Sequence, residues 1–141
     1  MKPLYTAVAT TVGGRSGHVK SSDRILDFDL RPPKEMGGPA GSYTNPEQLF
    51  AAGYSACFGG ALGKIALEQG IRSKASITAK VTINQTDDGG FQLSVEMDVD
   101  MPEVEQAIAE KLAEQAHGFC PYSKAIKGNV DVKLKVTGKK G

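Results

Sequence analysis

At 141 residues with 40% hydrophobic and 23% charged residues, the chain has the length and composition of one globular domain. Seventeen basic against sixteen acidic residues leave a net charge of +1, so there is no basic field of the kind that holds nucleic acid. The N-terminus, MKPLYTAVATT, lacks the apolar core and processing site of a secretory signal. The uncharged run from Leu49 to Gly63 is ended by Lys64, short of the roughly 18 apolar residues a bilayer span requires. The expectation is a soluble, cytoplasmic, single-domain protein, 1–141, with no membrane or nucleic-acid partner.

The chain opens with a strand over Tyr5–Val12, a Gly-rich turn at Gly13–Gly17, and a half-buried strand in which Leu26, Phe28 and Leu30 alternate with Asp27 and Asp29. Arg31–Thr44 holds three prolines and three glycines, a composition that suits neither helix nor central strand. A loop that long in a compact domain commonly borders a site.

Asn45, Pro46 and Gln48 give a helix start: a good N-cap, a proline at the first position and a Gln at the third. The helix runs to about Gln69, with Gly70 as its stop. It is apolar nearly all round, as a helix buried on all sides would be. A chain this short has difficulty burying such a helix alone, so a homodimer with the helix near the interface is expected.

Ile77–Ile83 and Phe91–Val99 alternate cleanly and are joined by Asp87-Asp88-Gly89-Gly90, a hairpin with one wet and one dry face. Pro102–His117 reads as an amphipathic helix with Val104, Ile108, Leu112 and Ala116 in one stripe and Gly118 at its end. Cys120-Pro121 opens a short helix, and Val130–Val136 closes the chain as a strand. The order of elements is α+β, with antiparallel or mixed sheets packed around a central buried helix.

The two cysteines carry the chemical interest. Cys57 reads either as a small buried hydrophobe or as a thiolate nucleophile, which would need a cation nearby. Cys120 lies at a break between helices, where a helix N-terminus favours a thiolate. Together they are a candidate attacking and resolving pair. No C-x-x-C spacing is present, which excludes a thioredoxin-type site. Zinc held by Cys57, Cys120, His18 and His117 lacks any recognised spacing. A Cys–His hydrolase would enlist His117, which reads better as a cation at a helix C-terminus.

The segments NPEQLFAAGYSACF and HGFCPYSKAIKGN resemble the OsmC/Ohr superfamily, and specifically its organic hydroperoxide resistance branch. The resemblance covers essentially the whole chain, including the early turn with Arg15, the Pro/Gly-rich loop and the closing strand GNVDVKLKV. It implies an OsmC/Ohr-like fold, an intertwined homodimer, and a Cys-based, metal-free peroxidase with no bound cofactor. Its substrates would be alkyl and fatty-acid hydroperoxides. Its reductant would be an external dihydrolipoyl group, on a lipoylated protein or as dihydrolipoamide. Cys57 matches the peroxidatic cysteine, Cys120 the resolving one, Arg15 the arginine that holds the thiolate, and Glu47 the acid that positions that arginine.

Read alone, Arg15 is a turn cation and Glu47 a first-turn acid, each ordinary. Their assigned roles also raise a geometric problem. Glu47 and Cys57 are ten residues apart, about 15 Å along a continuous helix, too far for one guanidinium to serve both. Either the helix is interrupted or one site draws them from different subunits. Phe50, Tyr54, Phe58, Phe119 and Tyr122, with Met36 and Pro39 from the loop, are candidates for an apolar substrate pocket, or simply for the core. The rival functions are a non-enzymatic lipid-binding or oxidant-sensing thiol protein, and a structural protein whose cysteines never meet.

Overall fold

The computed structural model describes residues 1–140. They form two compact units, Met1–Leu49 and the residues from Phe50 onward.

The first unit is a three-stranded antiparallel sheet of β1 (Ala9–Val12), β2 (His18–Ser21) and β3 (Asp27–Asp29), in that order. The expected first strand is thus real but begins at Ala9 rather than Tyr5. The turn after it is tight: Gly13 and Gly14 take φ of +87° and +57°, where glycine has no Cβ penalty. A Cβ on Gly17 would lie 1.7 Å from the Val12 carbonyl oxygen. β2 has no signal in the sequence, because HVKS is too short to show a period. The expected half-buried strand is a correction. Leu30 and Val19 are buried, but Leu26 and Phe28 are exposed, as are Leu4, Tyr5, Val8, Val12 and Ile25. The Arg31–Thr44 loop is irregular as expected, apart from one 3₁₀ turn at Lys34–Met36. A bridge between Leu30 and Thr44 closes its ends. Arg31 Nη1 donates to the carbonyls of Ser16 and Gly17 at 3.0 and 3.2 Å, tying the loop to the Arg15 turn.

The helix α1 (Pro46–Glu68) runs its 23 residues without interruption. Asn45 caps it, its Oδ1 accepting from the Gln48 N–H at 2.8 Å. Gln48 Oε1 accepts in turn from the Thr44 hydroxyl. Lys64 ends the uncharged run but not the helix; it pairs with Glu68 at 2.5 Å, and the whole of α1 is long and apolar enough to cross a bilayer by length and composition. It is instead a core helix on one side: Tyr54, Phe58, Ala61, Leu62 and Ala66 are buried. The expectation of burial on all sides fails, since Ala52, Ala56, Gly60, Gly63 and Leu67 are exposed. A helix meets one sheet over one stripe, and the opposite stripe needs a further layer.

From Phe50 onward the core is α1 packed with a mixed sheet of β4 (Ser76–Gln85), β5 (Phe91–Glu105) and β6 (Val132–Lys139). β5 is central, antiparallel to β4 and parallel to β6. Val95, Met97, Val99 and Met101 of β5 point into the core, each such side chain contributing roughly 1.5–3 kcal/mol. The hairpin turn is as expected, with Gly89 at φ +85° and Asp88 accepting from the Gly90 N–H. The helix expected from Pro102 begins later, as α2 (Gln106–Phe119). Met101 and Val104 are buried on the strand, so Pro102 sits in β5 where the register with β6 shifts, a place where a missing ladder N–H is tolerated. Glu105 is the N-cap, accepting from the N–H groups of Ala107 and Ile108. The buried stripe is accordingly Ala109, Leu112, Ala113 and Ala116, with Ile108 exposed. The short helix α3 (Pro121–Ile126) has Cys120 as its N-cap and Pro121 at its first position.

Candidate functional site

The two thiols meet. Cys57, on the fourth turn of α1, and Cys120, between α2 and α3, are both free, and their sulfurs are 3.4 Å apart with Cys120 Sγ donating. Cys120 is fully buried and Cys57 partly so. The break that carries Cys120 is held at both ends, its N–H donating to the Ala116 carbonyl and its C=O accepting from Lys124. Burial pushes the Cys57 thiol pKa up; the Tyr122 backbone N–H, which favours the thiolate, opposes this. The balance favours the neutral thiol.

Arg15 and Glu47 also meet, within the first unit. The guanidinium and carboxylate form a two-pronged pair, Nη1 to Oε2 at 2.9 Å and Nη2 to Oε1 at 2.7 Å. Arg15 stands on the glycine turn and Glu47 in the first turn of α1. The Arg15 hydrogen bond holds the Glu47 carboxyl below its ordinary pKa, so the pair is ionised at neutral pH.

The aromatic candidates separate. Phe50, Tyr54 and Tyr122 form one cluster with ring centroids 5.9–6.2 Å apart. Gly53 makes room for it: a Cβ there would lie 2.7 Å from the Tyr122 hydroxyl. Phe58 lies wholly in the core. Phe119 is packed between Lys64 and Lys124, whose ammonium groups are 5.7 and 5.8 Å from its ring centroid. Met36 and Pro39 are exposed on the loop of the first unit.

His117 stands in the last turn of α2 as expected. Its Nδ1 is 2.9 Å from the Ser123 hydroxyl, which is 2.6 Å from the Tyr54 hydroxyl. Sequence reasoning gave Ser123 no part. The available signal was its place three residues after Cys120, one helical turn on.

An α+β domain with a long core helix and two thiols in contact defines the class, and residues 38–135 match the family described as OsmC-like protein. Organic hydroperoxide resistance protein OhrB of Bacillus subtilis (strain 168) is 49% identical over 135 residues, covering 94% of this chain and 98% of that protein. The organic hydroperoxide resistance protein of Xanthomonas axonopodis pv. citri (strain 306) is 47% identical, with 94% of each chain covered. Among solved structures, an organic hydroperoxide resistance protein from Elizabethkingia anophelis superposes with a TM-score of 0.92 at 49% identity, over 99% of this chain and 100% of that one. The chain belongs to the organic hydroperoxide resistance proteins of the OsmC family.

Proposed function

We propose that this protein is a thiol peroxidase that reduces organic hydroperoxides and serves in the response to organic peroxide stress. The observation that carries the reading is the 3.4 Å approach of two free thiols. A disulfide needs about 2 Å between sulfurs, so closure asks for a shift of less than 2 Å from this contact.

The cycle follows. The Cys57 thiolate attacks the terminal oxygen of ROOH, the O–O bond breaks, and RO⁻ takes a proton and leaves as ROH. Cys57 is now a sulfenic acid. Cys120 condenses with it, losing its thiol proton to the departing hydroxide, and water leaves a Cys57–Cys120 disulfide. An external dithiol of the dihydrolipoyl type, on a lipoylated protein or as dihydrolipoamide, returns two electrons by exchange. The disulfide is transient, which suits a cytoplasmic address. The protein residues and the external dithiol account for every atom and electron, with no metal in any step. The apolar cluster of Phe50, Tyr54 and Tyr122 supports an alkyl or acyl chain on the substrate.

Arg15, braced by Glu47, is the cation this thiolate needs, and its remaining donors suit the departing alkoxide. Because α1 is uninterrupted, the reading carries a homodimer with a composite site: Arg15 and Glu47 of one protomer act on Cys57 of the other. The exposed stripe of α1 and the exposed apolar side chains of the first unit support such a dimer.

The deciding assay supplies an alkyl hydroperoxide with dihydrolipoamide and follows peroxide loss in the wild type, Cys57→Ser and Cys120→Ser. Turnover is expected only in the wild type. Turnover that survives loss of Cys57, or a wild type that binds without turning over, sinks the peroxidase reading and leaves a lipid-binding or oxidant-sensing thiol protein. Mixing Cys57→Ser chains with Glu47→Ala chains tests the composite site: partial recovery is expected, and no recovery overturns sharing.

A further inference from the structure

Three residues with no part in the thiol chemistry itself share one hydrogen-bond network, Tyr54 and Ser123 buried and His117 partly so. The Tyr54 hydroxyl meets the Ser123 hydroxyl at 2.6 Å, and the Ser123 hydroxyl meets His117 Nδ1 at 2.9 Å. Tyr54 is 0% and Ser123 3% exposed. Each member lies three residues from a cysteine: Tyr54 before Cys57, His117 before Cys120, Ser123 after Cys120. The three stand on α1, α2 and α3 respectively.

We infer that Tyr54, Ser123 and His117 are positioning residues whose network holds the Cys120 sulfur against the Cys57 sulfur and so raises the effective concentration of one thiol at the other. This rests on the peroxidase reading for its use, though not for its test. The physical argument begins with α3. At six residues it has little stability of its own, so its position is set by what tethers it. Cys120 is its N-cap, and any slide or rotation of α3 carries that sulfur with it. Ser123 is the one buried polar side chain of α3. A serine hydroxyl has one proton to give and two lone pairs to receive. It can therefore accept from Tyr54 and donate to His117, fixing α3 to the turn before Cys57 and to the turn before Cys120. Burial raises the Tyr54 phenol pKa, which keeps its proton available for that bond. A satisfied network in a dry interior favours one geometry over its neighbours, and holding two reactive groups together is what lifts effective molarity.

The test is a redox titration of the Cys57–Cys120 pair against dithiothreitol in the wild type, Ser123→Ala, Tyr54→Phe and Ser123→Thr, with thermal midpoints recorded alongside. Removing either hydroxyl is expected to lower the equilibrium constant for disulfide formation about tenfold, a rise of about 30 mV in the pair's reduction potential for a two-electron couple. Ser123→Thr, which keeps a hydroxyl, is expected to return it to within about threefold of the wild type, on the same conversion. Unchanged redox equilibria in both hydroxyl-deleted variants overturn the inference, whatever happens to the midpoints. A single-turnover reaction with an alkyl hydroperoxide separates this from the peroxidase reading. If the hydroxyl-deleted variants shift in the titration but Cys57 is not oxidised by the hydroperoxide, the peroxidase reading falls and the clamp stands. If Cys57 is oxidised but the titration is the same in every variant, the clamp falls and the peroxidase reading stands.

Discussion

The Arg15 guanidinium and the Glu47 carboxylate meet fork to fork, at 2.9 and 2.7 Å. Two parallel charge-assisted bonds fix orientation as well as distance. The Glu47 side chain is 13% exposed and the Arg15 side chain 41%, so the acid is the sheltered anchor and the arginine the reaching partner.

Glu47→Gln is therefore expected to hurt activity far more than stability. The neutral amide orients the guanidinium poorly, and kcat/KM for an alkyl hydroperoxide should fall about ten- to hundredfold, or roughly 1.4–2.7 kcal/mol. An exposed ion pair is worth only about 0–1 kcal/mol to the fold. The pH dependence has a definite sign. The Arg15 hydrogen bond lowers the folded-state pKa of Glu47, so its stabilisation is complete above the unfolded carboxylate pKa and is lost as pH falls through the lower folded value. Thermal midpoints from neutral to acid pH should show the wild type losing its lead over Glu47→Gln on acidification. A lead that stays constant contradicts the assignment.

His18 gives the opposite sign. Its two ring nitrogens meet Asp29, at 2.6 Å, and Asp27. These bonds, Asp29 first and Asp27 second, raise the His18 pKa, and His18 in turn lowers that of Asp27. The stabilisation is full below the unfolded imidazole pKa and is lost as pH rises through the raised folded value. His18→Asn should remove a fall in thermal midpoint that the wild type shows on going from weakly acid to alkaline pH. Parallel midpoint curves for the two proteins would rule the linkage out.

How much of this was legible depends on where each feature's cause lies. α1 was readable because its start chemistry, Asn45-Pro46, and its stop, Gly70, are local. β4 and β5 were readable because a half-buried strand alternates. Pro102 misled because proline suits a first helical turn as well as an irregular strand; only the buried Met101 and Val104 decide between them. Arg15 and Glu47 carry no local mark beyond a turn cation and a first-turn acid, and only the resemblance joined them. The Tyr54–Ser123–His117 network was invisible because it exists only where three elements converge.

The cap of α1 offers a measure of local stability. Asn45 satisfies a helix N–H that would otherwise be orphaned. Asn45→Ala should cost about 1 kcal/mol, within the 0.5–2 kcal/mol usual for such caps, while Asn45→Asp should cost less. Urea midpoints with an unchanged m-value test this. A loss well under 0.5 kcal/mol would mean that packing along α1, rather than its cap, fixes this end.

The last prediction concerns the Cys57 thiol itself. Burial raises its pKa, and the Tyr122 backbone N–H only partly offsets this. A guanidinium close by would reverse the balance, since an opposite charge within a few ångströms outweighs modest desolvation. Cys120→Ser isolates Cys57 without disturbing Arg15. In that background, the rate of alkylation by iodoacetamide is expected to titrate below the ordinary thiol value. With Arg15→Ala added, the midpoint should move up past that value, to the side burial alone dictates, by at least one pH unit, which corresponds to about 1.4 kcal/mol of lost thiolate stabilisation. The same upward move, smaller, is expected for Glu47→Ala, because the arginine remains but loses its brace. A midpoint that ignores both substitutions would leave Cys57 without its cation and would turn the search for one towards other basic residues.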